Sequence, residues 1–285
     1  MLTPRQISGG LTALGILLGS LSGGASPPDL PPFGPYRVVV ADFHVHAFPG
    51  DGGLPPWEIV REAGRRGLNV VVISNHNQMA AANLGRRVYG GTMPLLIPGQ
   101  EITTPRFHLI GLGLRTSIDP TAPPEAIVGA VHTQGGAAII AHPVATSWRG
   151  DDALLRSIDG TEIAHPLTAV DAAGRAELDL SYERALAANP RAARIGSSDF
   201  HLHGPLGNCR TYVFTESVDV RGIVRAIREG RTVAEDQNRG LYGDRALVDH
   251  VYAIRGDRQA DARPLFAVLS VLLTVAGMIG TVILR

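Results

Sequence analysis

The chain of 285 residues carries 26 basic and 26 acidic side chains, so its formal net charge is zero. A neutral chain has no overall field that attracts nucleic acid, and no stable nucleic-acid complex is expected. The length suits one barrel domain of about 200 to 250 residues with short flanking segments, and the single cysteine excludes an intramolecular disulfide.

The amino-terminal region combines an apolar segment with a proline-rich stretch. Residues 7–26 are uncharged but contain several glycines and serines, so residues 1–26 are predicted to be either a signal anchor or a transmembrane segment. Residues 27–36 include five prolines, which predicts an extended linker and not a folded element. A globular domain is predicted to follow, over residues 37–234.

Within this domain, five apolar strand candidates each run into a histidine or a carboxylate. The first ends in Asp42, His44 and His46, which alternate and therefore share one face if the strand is extended. The later strands end in His76, in Glu101, in His142 and in the pair Asp199 and His201. Because neutral imidazole and carboxylate are ordinary ligands of divalent metals, the pattern predicts a metal cluster at the strand ends.

Helical patterns separate these strands, as in proteins that alternate strands and helices. The predicted helices are Pro56–Arg66, Pro124–Thr133, Leu178–Ala188 and Val220–Glu229. Residues 235–263 are polar and are predicted to form a connector that packs on the barrel. Residues 264–285 are predicted to be a transmembrane helix, because their twenty uncharged positions can span a hydrocarbon core of about 30 Å. The protein is therefore expected at a membrane, with the central domain on the extracytoplasmic side.

In type, order and spacing, the motifs of residues 37–234 resemble those of the PHP (polymerase and histidinol phosphatase) superfamily of metal-dependent phosphoesterases. The matching residues are Asp42, His44, His46, Gly50-Asp51, His76, Pro98-Gly99, Glu101, His108, Ala141-His142-Pro143, Ser198-Asp199 and His201. The resemblance implies an α/β fold, a distorted (β/α)7 barrel, here flanked by an N-terminal and a C-terminal apolar membrane segment. It also implies up to three metals at the carboxyl ends of the strands, where barrel enzymes carry their chemistry.

The resemblance implies one ligand set for each of three metals. The first would be His44, His46, Glu101 and Asp199, the second Glu101, His108 and His142, and the third Asp51, His76 and His201. Asp42 would accept a hydrogen bond from a ligand histidine and orient it. Asn75 stands where the family commonly has aspartate, which removes one negative charge from the cluster. Two or three divalent ions of zinc, manganese or iron are therefore expected.

The predicted activity is phosphoester hydrolysis by a membrane-anchored enzyme. Two metals that share Glu101 would hold a hydroxide between them, and the catalytic residues would be Glu101, Asp199 and His201. Arg149 and Arg210 lie on loops after strands and are predicted to bind substrate, because arginine forms bidentate pairs with phosphate. His165 is a further candidate for substrate binding. The expected substrate is a phosphorylated small molecule or a nucleotide.

Two other functions stay open. The same bridging hydroxide would attack a carbonyl carbon, so a metal-dependent hydrolase of another bond, such as an amide, fits the ligand set. The chain would otherwise be a non-catalytic, membrane-tethered module that binds a metal or another ligand, a reading that Asn75 favours. Phosphate release, amide cleavage and metal content without turnover distinguish the three.

Overall fold

The computed structural model describes residues 2–21, 26–89, 93–144, 148, 152–166, 172–202, 204–256 and 265–283. Its strands are β1 (Leu30–Phe33), β2 (Tyr36–Val45), β3 (Val70–Ile73), β4 (Leu95–Thr103), β5 (His108–Leu112), β6 (Ala137–Ile140), β7 (Gly160–Ala164), β8 (Ala193–Gly196), β9 (Arg210–Thr215), β10 (Thr232–Glu235) and β11 (Leu241–Gly243). Its helices are α1 (Pro4–Leu21), α2 (Pro56–Arg65), α3 (Ala80–Tyr89), α4 (Pro124–Thr133), α5 (Asp152–Ser157), α6 (Ala172–Ala188), α7 (Val220–Arg228), α8 (Arg245–Ile254) and α9 (Leu265–Ile283).

The strands form one mixed sheet that curls into a nearly closed barrel. Their order is β11-β10-β9-β2-β3-β4-β5-β6-β7-β8, with β1 paired to β2. The β2–β3–β4 and β6–β7–β8 neighbours are parallel, whereas β5 and β9 run against the strands beside them. The predicted barrel is confirmed in kind but is not a simple repeat of strand and helix. The segment between β4 and β5 is too short for a crossover helix, so these two strands form an antiparallel hairpin.

The barrel closes between β8 and β9 through a side chain. The hydroxyl of Thr211 accepts a hydrogen bond from the Gly196 N–H and donates one to the Gly196 carbonyl, each over 2.9 Å. A Cβ atom on Gly196 would lie 2.4 Å from the Arg210 carbonyl oxygen, so this close approach requires glycine. The closure keeps the end of β8, and with it the loop that carries Asp199, beside β2.

An irregularity in β2 decides which of its side chains face the barrel interior. Val39, Ala41 and Phe43 pack in the interior cluster, whereas Val38, Val40 and Val45 pack in the cluster beneath α2. The register against β3 shifts between Asp42 and Val45. The expectation that Asp42, His44 and His46 share one face is therefore wrong. His44 and His46 lie inside after the shift, and Asp42 remains on the outer side with Val40.

The regions around the barrel differ from the sequence-based expectation in extent. The helix Pro124–Thr133 is confirmed, and α2 and α7 each end one residue before the predicted end. The proline-rich stretch is not only a linker, because β1 pairs with β2 and its Phe33 packs edge-on against Phe214. The stretch expected as a connector contains β11 and α8, whose Val251 is fully buried.

The first and last helices pack against each other as an antiparallel pair, called the terminal helix pair below. Small residues face each other along it, with Gly19 beside Ser270, Gly15 beside Thr274, Thr12 beside Gly277 and Ser8 beside Gly280. Small residues let two helix backbones approach closely, as they do in helix pairs within membranes.

One helix in the described part of the chain has the length and apolar composition to cross a membrane, and it is α9. The first helix, α1, does not reach the same hydropathy, because glycine, serine and threonine dilute its leucines and isoleucines. Only one of the two expected apolar membrane segments is thus found by composition. The other expected segment, residues 1–26, contains α1, which packs on α9.

Candidate metal centre

The carboxyl ends of the parallel strands meet at one end of the barrel, called the mouth below, and every predicted metal ligand lies there. His44 and His46 follow from β2, His76 comes after β3, and Glu101 lies on β4. The remaining ligands are His108 at the start of β5, His142 after β6, Asp199 and His201 after β8, and Asp51 on the loop between β2 and α2. Parallel strands place their ends together, which is why side chains distant in sequence converge here.

Four donor atoms form the centre of the cluster. His44 Nε2 lies 3.2 Å from Glu101 Oε2 and 3.1 Å from Asp199 Oδ1. His46 Nε2 lies 3.2 Å and 3.3 Å from the same two oxygens. All four atoms are buried and make no hydrogen bond within the described residues. Spacings of about 3 Å are those of neighbouring ligands around a cation bound at about 2.1 Å, so this group fits a divalent metal.

The carboxylate of Glu101 joins this group to a second one. Its Oε2 faces His44 and His46, while its Oε1 lies 2.7 Å from His108 Nδ1 and 3.2 Å from His142 Nε2. Glu101 itself is fully buried. One carboxylate therefore presents its two oxygens to two adjacent groups of imidazole donors.

A third group surrounds Asp51 at the outer side of the mouth. Asp51 Oδ2 lies 3.3 Å from His76 Nε2 and 3.2 Å from His201 Nε2, and the rings of His46 and His201 stack 3.9 Å apart. The other carboxylate oxygen, Oδ1, lies 3.0 Å from His46 Nδ1. The side chains of Asp51, His76 and His201 are 41%, 38% and 34% exposed, so this group faces solvent.

Two glycines allow the loop that carries Asp51 to lie against the backbone of His46 and the side chain of Asn75. A Cβ atom on Gly52 would lie 2.0 Å from the His46 carbonyl oxygen, and one on Gly50 would lie 1.9 Å from the Asn75 side-chain nitrogen. Gly50 also has a φ of +151°. Glycine is therefore required on both sides of Asp51 for this loop to bring the Asp51 carboxylate to His46.

Glu162, which the sequence analysis did not assign to the site, orients two of the histidines. Its Oε1 accepts a hydrogen bond from His44 Nδ1 over 3.0 Å, which leaves His44 Nε2 free to face the cluster. Its Oε2 accepts from the backbone N–H of His142 over 2.6 Å. Carboxylates that orient metal-binding histidines are common around metal sites. The only signal in the sequence was an acidic residue inside the apolar strand Gly160–Ala164.

Asp42 holds a loop and not an imidazole ring. Its carboxylate accepts hydrogen bonds from the backbone N–H groups of Ser198 and Gly207, from the Ser198 hydroxyl, and from the backbone N–H of His44. The expectation that it orients a ligand ring is corrected accordingly, since Glu162 has that position at His44. Burial raises the pKa of Asp42 to about 6, against the effect of these hydrogen bonds.

Two residues of the cluster have strained backbones. His142 has a φ of +26° and Asp199 a φ of +46°, in the left-handed region that non-glycine residues rarely adopt. Such strain costs about 1 to 3 kcal/mol per residue and persists only where surrounding contacts enforce it. The Glu162 hydrogen bond does this for His142. The Ser198 bonds to Asp42 do it for the turn that carries Asp199.

The electrostatics of the cluster favour bound positive charge. Burial raises the pKa of Glu101, but the charge of His44 and the hydrogen bonds from His108 and His142 hold it well below its ordinary value. Burial lowers the pKa of His46, but the neighbouring carboxylates of Asp199 and Asp51 raise it to about 10. Without metal, the carboxylates stay ionised and His46 stays protonated. A divalent cation supplies the same compensating charge.

The residues predicted to bind substrate do not line the open mouth in the described structure. His165 lies within the cluster, but it is buried and its Nε2 lies 3.4 Å from Asp199 Oδ2, so it contacts a predicted ligand and not the open mouth. Arg210 is directed to the outer side of the barrel, where it donates to the carbonyls of Gly207 and Arg66. Its predicted contact with substrate at the mouth is therefore wrong. Arg149 lies outside the described residues.

Asn75 does not face the metal ligands. Its side-chain nitrogen donates to the Ala47 carbonyl over 2.6 Å, and its side-chain oxygen accepts from the Ala47 N–H over 3.0 Å. An aspartate cannot supply the donor of this pair. Asn75 therefore holds the chain just after His46. Its side chain is not part of the three donor groups, so the absence of an aspartate here does not change their charge.

Comparisons with known proteins agree on the fold. No family model matches the sequence. An uncharacterized protein of Methanocaldococcus jannaschii is 28% identical over an alignment of 137 residues, which covers 43% of this chain and 80% of that protein. A two-domain protein of Bacteroides vulgatus, containing a predicted PHP-like metal-dependent phosphoesterase, superposes with a TM-score of 0.61 at 21% identity, over 81% of this chain and 73% of that one. PsfC from Pseudomonas syringae superposes with a TM-score of 0.50 at 15% identity, over 76% of this chain and 96% of PsfC.

These similarities establish the architecture. The chain has the PHP-type α/β barrel that its motifs imply, and the resemblance to this superfamily is confirmed at the level of the fold. The structure likewise brings the residues of every implied ligand set together at the mouth.

Proposed function

We propose that this chain is a metal-dependent hydrolase of phosphoesters that is anchored to a membrane by α9. The observation that carries the proposal is the position of Glu101, a buried carboxylate with one oxygen in each of two donor groups. A shared carboxylate between adjacent cation sites is suited to two-metal hydrolysis. The predicted PHP-like metal-dependent phosphoesterase in the Bacteroides vulgatus protein supports the same class of reaction.

The proposed ligands are those of the three groups described above. His44, His46, Glu101 and Asp199 would hold one ion, Glu101, His108 and His142 a second, and Asp51, His76 and His201 a third. When bound, the ions would polarise the phosphate and lower the pKa of water toward about 7, so that water attacks at neutral pH. Imidazole and carboxylate donors of this mixture suit zinc, manganese or iron.

The buried and the exposed residues of the mouth would have different roles in the reaction. Glu101 and Asp199 lie deep in the mouth and keep negative charge between the imidazoles, and Glu162 keeps His44 oriented. His201 and His76 lie at the exposed side, where a substrate would enter, so we assign substrate contact to His201. In the reaction, water adds to phosphorus, the bond from phosphorus to the alcohol oxygen breaks, and the alcohol takes up a proton. The products are inorganic phosphate, or a phosphomonoester, and the alcohol.

Metal content of the full-length protein, purified in detergent without chelator or affinity metal, tests the first half of the proposal. Two or three transition-metal ions per chain are expected, with losses in His44→Ala and His142→Ala. His250→Ala is the matched control, because this half-buried histidine contacts Phe33 and Phe214 and lies far in the chain from every proposed ligand. A folded protein that binds none of zinc, manganese or iron would contradict the proposal.

Turnover tests the second half. The metal-loaded protein is expected to release phosphate from simple phosphoesters, and the two histidine variants are expected to lose this activity by at least about 100-fold. Cleavage of amides without phosphate release would instead identify a hydrolase of another bond. Bound metal with no turnover of either class would identify a metal-binding module.

A further inference from the structure

The terminal helix pair contacts the barrel next to the start of α2, at the end where α1 finishes and α9 starts. The Ser270 hydroxyl donates to Glu58 Oε1 over 3.3 Å, and a Cβ atom on Gly19 would lie 2.5 Å from the same oxygen. Glu58 is in the first turn of α2, which begins at Pro56 directly after the loop at the mouth. Glu58 is also 2.7 Å from Arg61 Nη1, so this attachment is polar.

From this attachment the helix pair runs toward the mouth. The opposite end of the pair, with Gly9 of α1 and Met278 to Ile283 of α9, lines a groove whose other wall is Phe48 and Pro49. These two residues belong to the loop that carries Asp51. From Ser270 to Ile283, α9 extends about 20 Å, which takes it from Glu58 to the loop that carries Asp51. The unattached end of the pair is therefore on the mouth side.

This direction places a membrane in front of the metal centre. The strongly apolar α9 is suited to a bilayer, and α1 accompanies it through their small-residue contacts. Both chain connections to the barrel leave the pair at its attached end, since α1 finishes at Leu21 and α9 starts at Leu265. If the free end lies in the bilayer, the mouth faces the membrane surface.

The groove itself is apolar and joins the helix pair to the site. It has a volume of about 760 Å³. Its walls are mostly hydrocarbon, from Ile16 on α1, Ile279 and Val282 on α9, and Phe48 with Pro49 on the loop. Another exposed apolar side chain lies against the same loop. Leu202, directly after His201, is 60% exposed and contacts Gly53. Exposed apolar side chains next to a charged cluster indicate an interaction site.

We propose that the substrate is a phosphoester carried on a long hydrocarbon chain, with the chain in this groove and the phosphate at the Asp51 and His201 side of the cluster. The inference rests on the proposed function and names its substrate class. The groove begins between membrane-suited helices and ends at a loop residue three positions before Asp51. A lipid can thus remain partly in the bilayer while its phosphate reaches the metal ligands.

The first test compares substrates that differ only in chain length. Full-length protein in mixed detergent micelles is assayed for phosphate release from ethyl, octyl and hexadecyl phosphate at equal surface concentration. The specificity constant kcat/KM is expected to rise by at least about tenfold from the ethyl to the hexadecyl ester. Equal values across the series would overturn the lipid proposal and leave the phosphoesterase intact.

Two tryptophan variants localise the effect. Ile279→Trp fills the groove and is expected to lower the hexadecyl-to-ethyl ratio of kcat/KM by about tenfold. Leu272→Trp is the control, because it lies two turns nearer the attached end on the same side of α9 and is outside the groove. It is expected to keep the ratio of the unmodified protein. The same loss in both variants would overturn the assignment of the groove.

Photo-crosslinking gives a readout that does not need turnover. A hexadecyl phosphate with a diazirine in its chain is expected to label Ile16, Ile279, Val282 or Phe48, with metal present or removed. Labelling spread evenly over the outer faces of α1 and α9 would overturn the proposal. Absence of phosphoester turnover together with labelling in the groove would refute the proposed phosphoesterase and retain the lipid site.

Discussion

Three carboxylates lie beside the histidines of the cluster, and each contacts different groups. They belong to Glu162, Asp42 and Asp51. Glu162 fixes the His44 ring and the His142 backbone, Asp42 fixes backbone N–H groups around Ser198, and Asp51 contacts three imidazoles. The difference follows from which atoms each carboxylate reaches, and the residue type alone does not reveal it. Substitutions at this scale can therefore separate metal binding from folding.

Glu162→Gln is expected to weaken metal binding by about 10- to 100-fold, the usual cost of losing a residue that orients a ligand. The amide can accept from His44 Nδ1, but its NH₂ group would then face the His142 N–H, and two donors cannot pair. Metal titration against a competing chelator measures the change. Glu125→Gln, at an exposed position of α4, is the control and is expected to bind metal normally. Unchanged affinity in Glu162→Gln would contradict the role.

Metal binding is expected to strengthen as the pH rises. The pKa of His46 in the metal-free protein is raised from 6.5 to about 10, so the ring must lose a proton to bind metal. The stabilisation from the protonated ring is complete below pH 6.5 and is lost as the pH rises through about 10. The apparent Kd should therefore fall about tenfold per pH unit for each proton released. Calorimetry in buffers of different ionisation enthalpy counts these protons, and a Kd independent of pH would refute the expectation.

Asn75→Asp, which restores the residue common in the family, is expected to destabilise this protein by about 1 to 3 kcal/mol. A carboxylate at this buried position cannot donate to the Ala47 carbonyl and places a negative charge against it. Chemical denaturation of the metal-free protein measures the loss, with the exposed Asn238→Asp as the control. A gain of bound metal without loss of stability would show instead that position 75 belongs to the ligand set.

At the scale of elements, glycine decides how closely neighbouring segments approach. Gly52 lets the Asp51 loop lie on His46, Gly196 lets β8 meet β9, and Gly15 lets α1 lie on α9. In each case a Cβ atom would lie within 2.4 Å of another residue's atoms. These contacts hold elements together that the local sequence does not connect.

Gly15→Val is expected to separate the terminal helix pair and to cost about 1 to 3 kcal/mol of stability. Its Cβ would lie 2.3 Å from the Thr274 hydroxyl and 2.6 Å from the Thr274 backbone nitrogen, so the backbone itself must move. Gly10→Val is the control, because it brings the same change in helix propensity at a position with open space around it. Thermal unfolding in detergent gives the comparison. Equal Tm values for the two variants would show that the pair does not contribute to stability.

At the scale of the whole molecule, the sequence predicts which side chains meet at the mouth better than it predicts the barrel around them. His44, His76, Glu101, His142 and Asp199 each follow an apolar run, and parallel strands bring such ends together. The β4–β5 hairpin and the register shift after Asp42 depend on pairing with other strands. No local pattern marks them, and the expected face of Asp42 was wrong for that reason.

The roles of Glu162 and α1 could not be predicted either, because both depend on contacts with residues distant in the chain. Glu162 orients a histidine 118 residues away, and α1 finds its partner at the other end of the chain. The hydropathy of α1 is ambiguous by itself, because small residues that weaken a membrane signal are the same ones that pack against α9. Tertiary contact, and not composition, gives these segments their roles.

The orientation of the molecule in a membrane gives a further expectation. Both chain connections to the barrel leave the terminal helix pair at its attached end, so the opposite end of the pair and the barrel should lie on opposite sides of a bilayer that the pair spans. With the barrel extracytoplasmic, as the sequence leads us to expect, a cysteine introduced by Asp249→Cys on α8 should react in intact cells with a membrane-impermeant maleimide. The side chain of Asp249 is 74% exposed, and Cys209 is buried and should stay unlabelled. Labelling only after the cells are broken would place the barrel in the cytoplasm.

The pairing of the first helix with the last one also sets the order of biogenesis. While the ribosome makes the barrel, α1 has no partner, because α9 is still to be synthesised. The weakly apolar α1 therefore has no helix partner until α9 has been made, and only then can the two helices pair. Contacts between segments far apart in a chain form late in folding. The terminal helix pair, and the groove that it lines, are therefore expected to assemble only after α9 has left the ribosome.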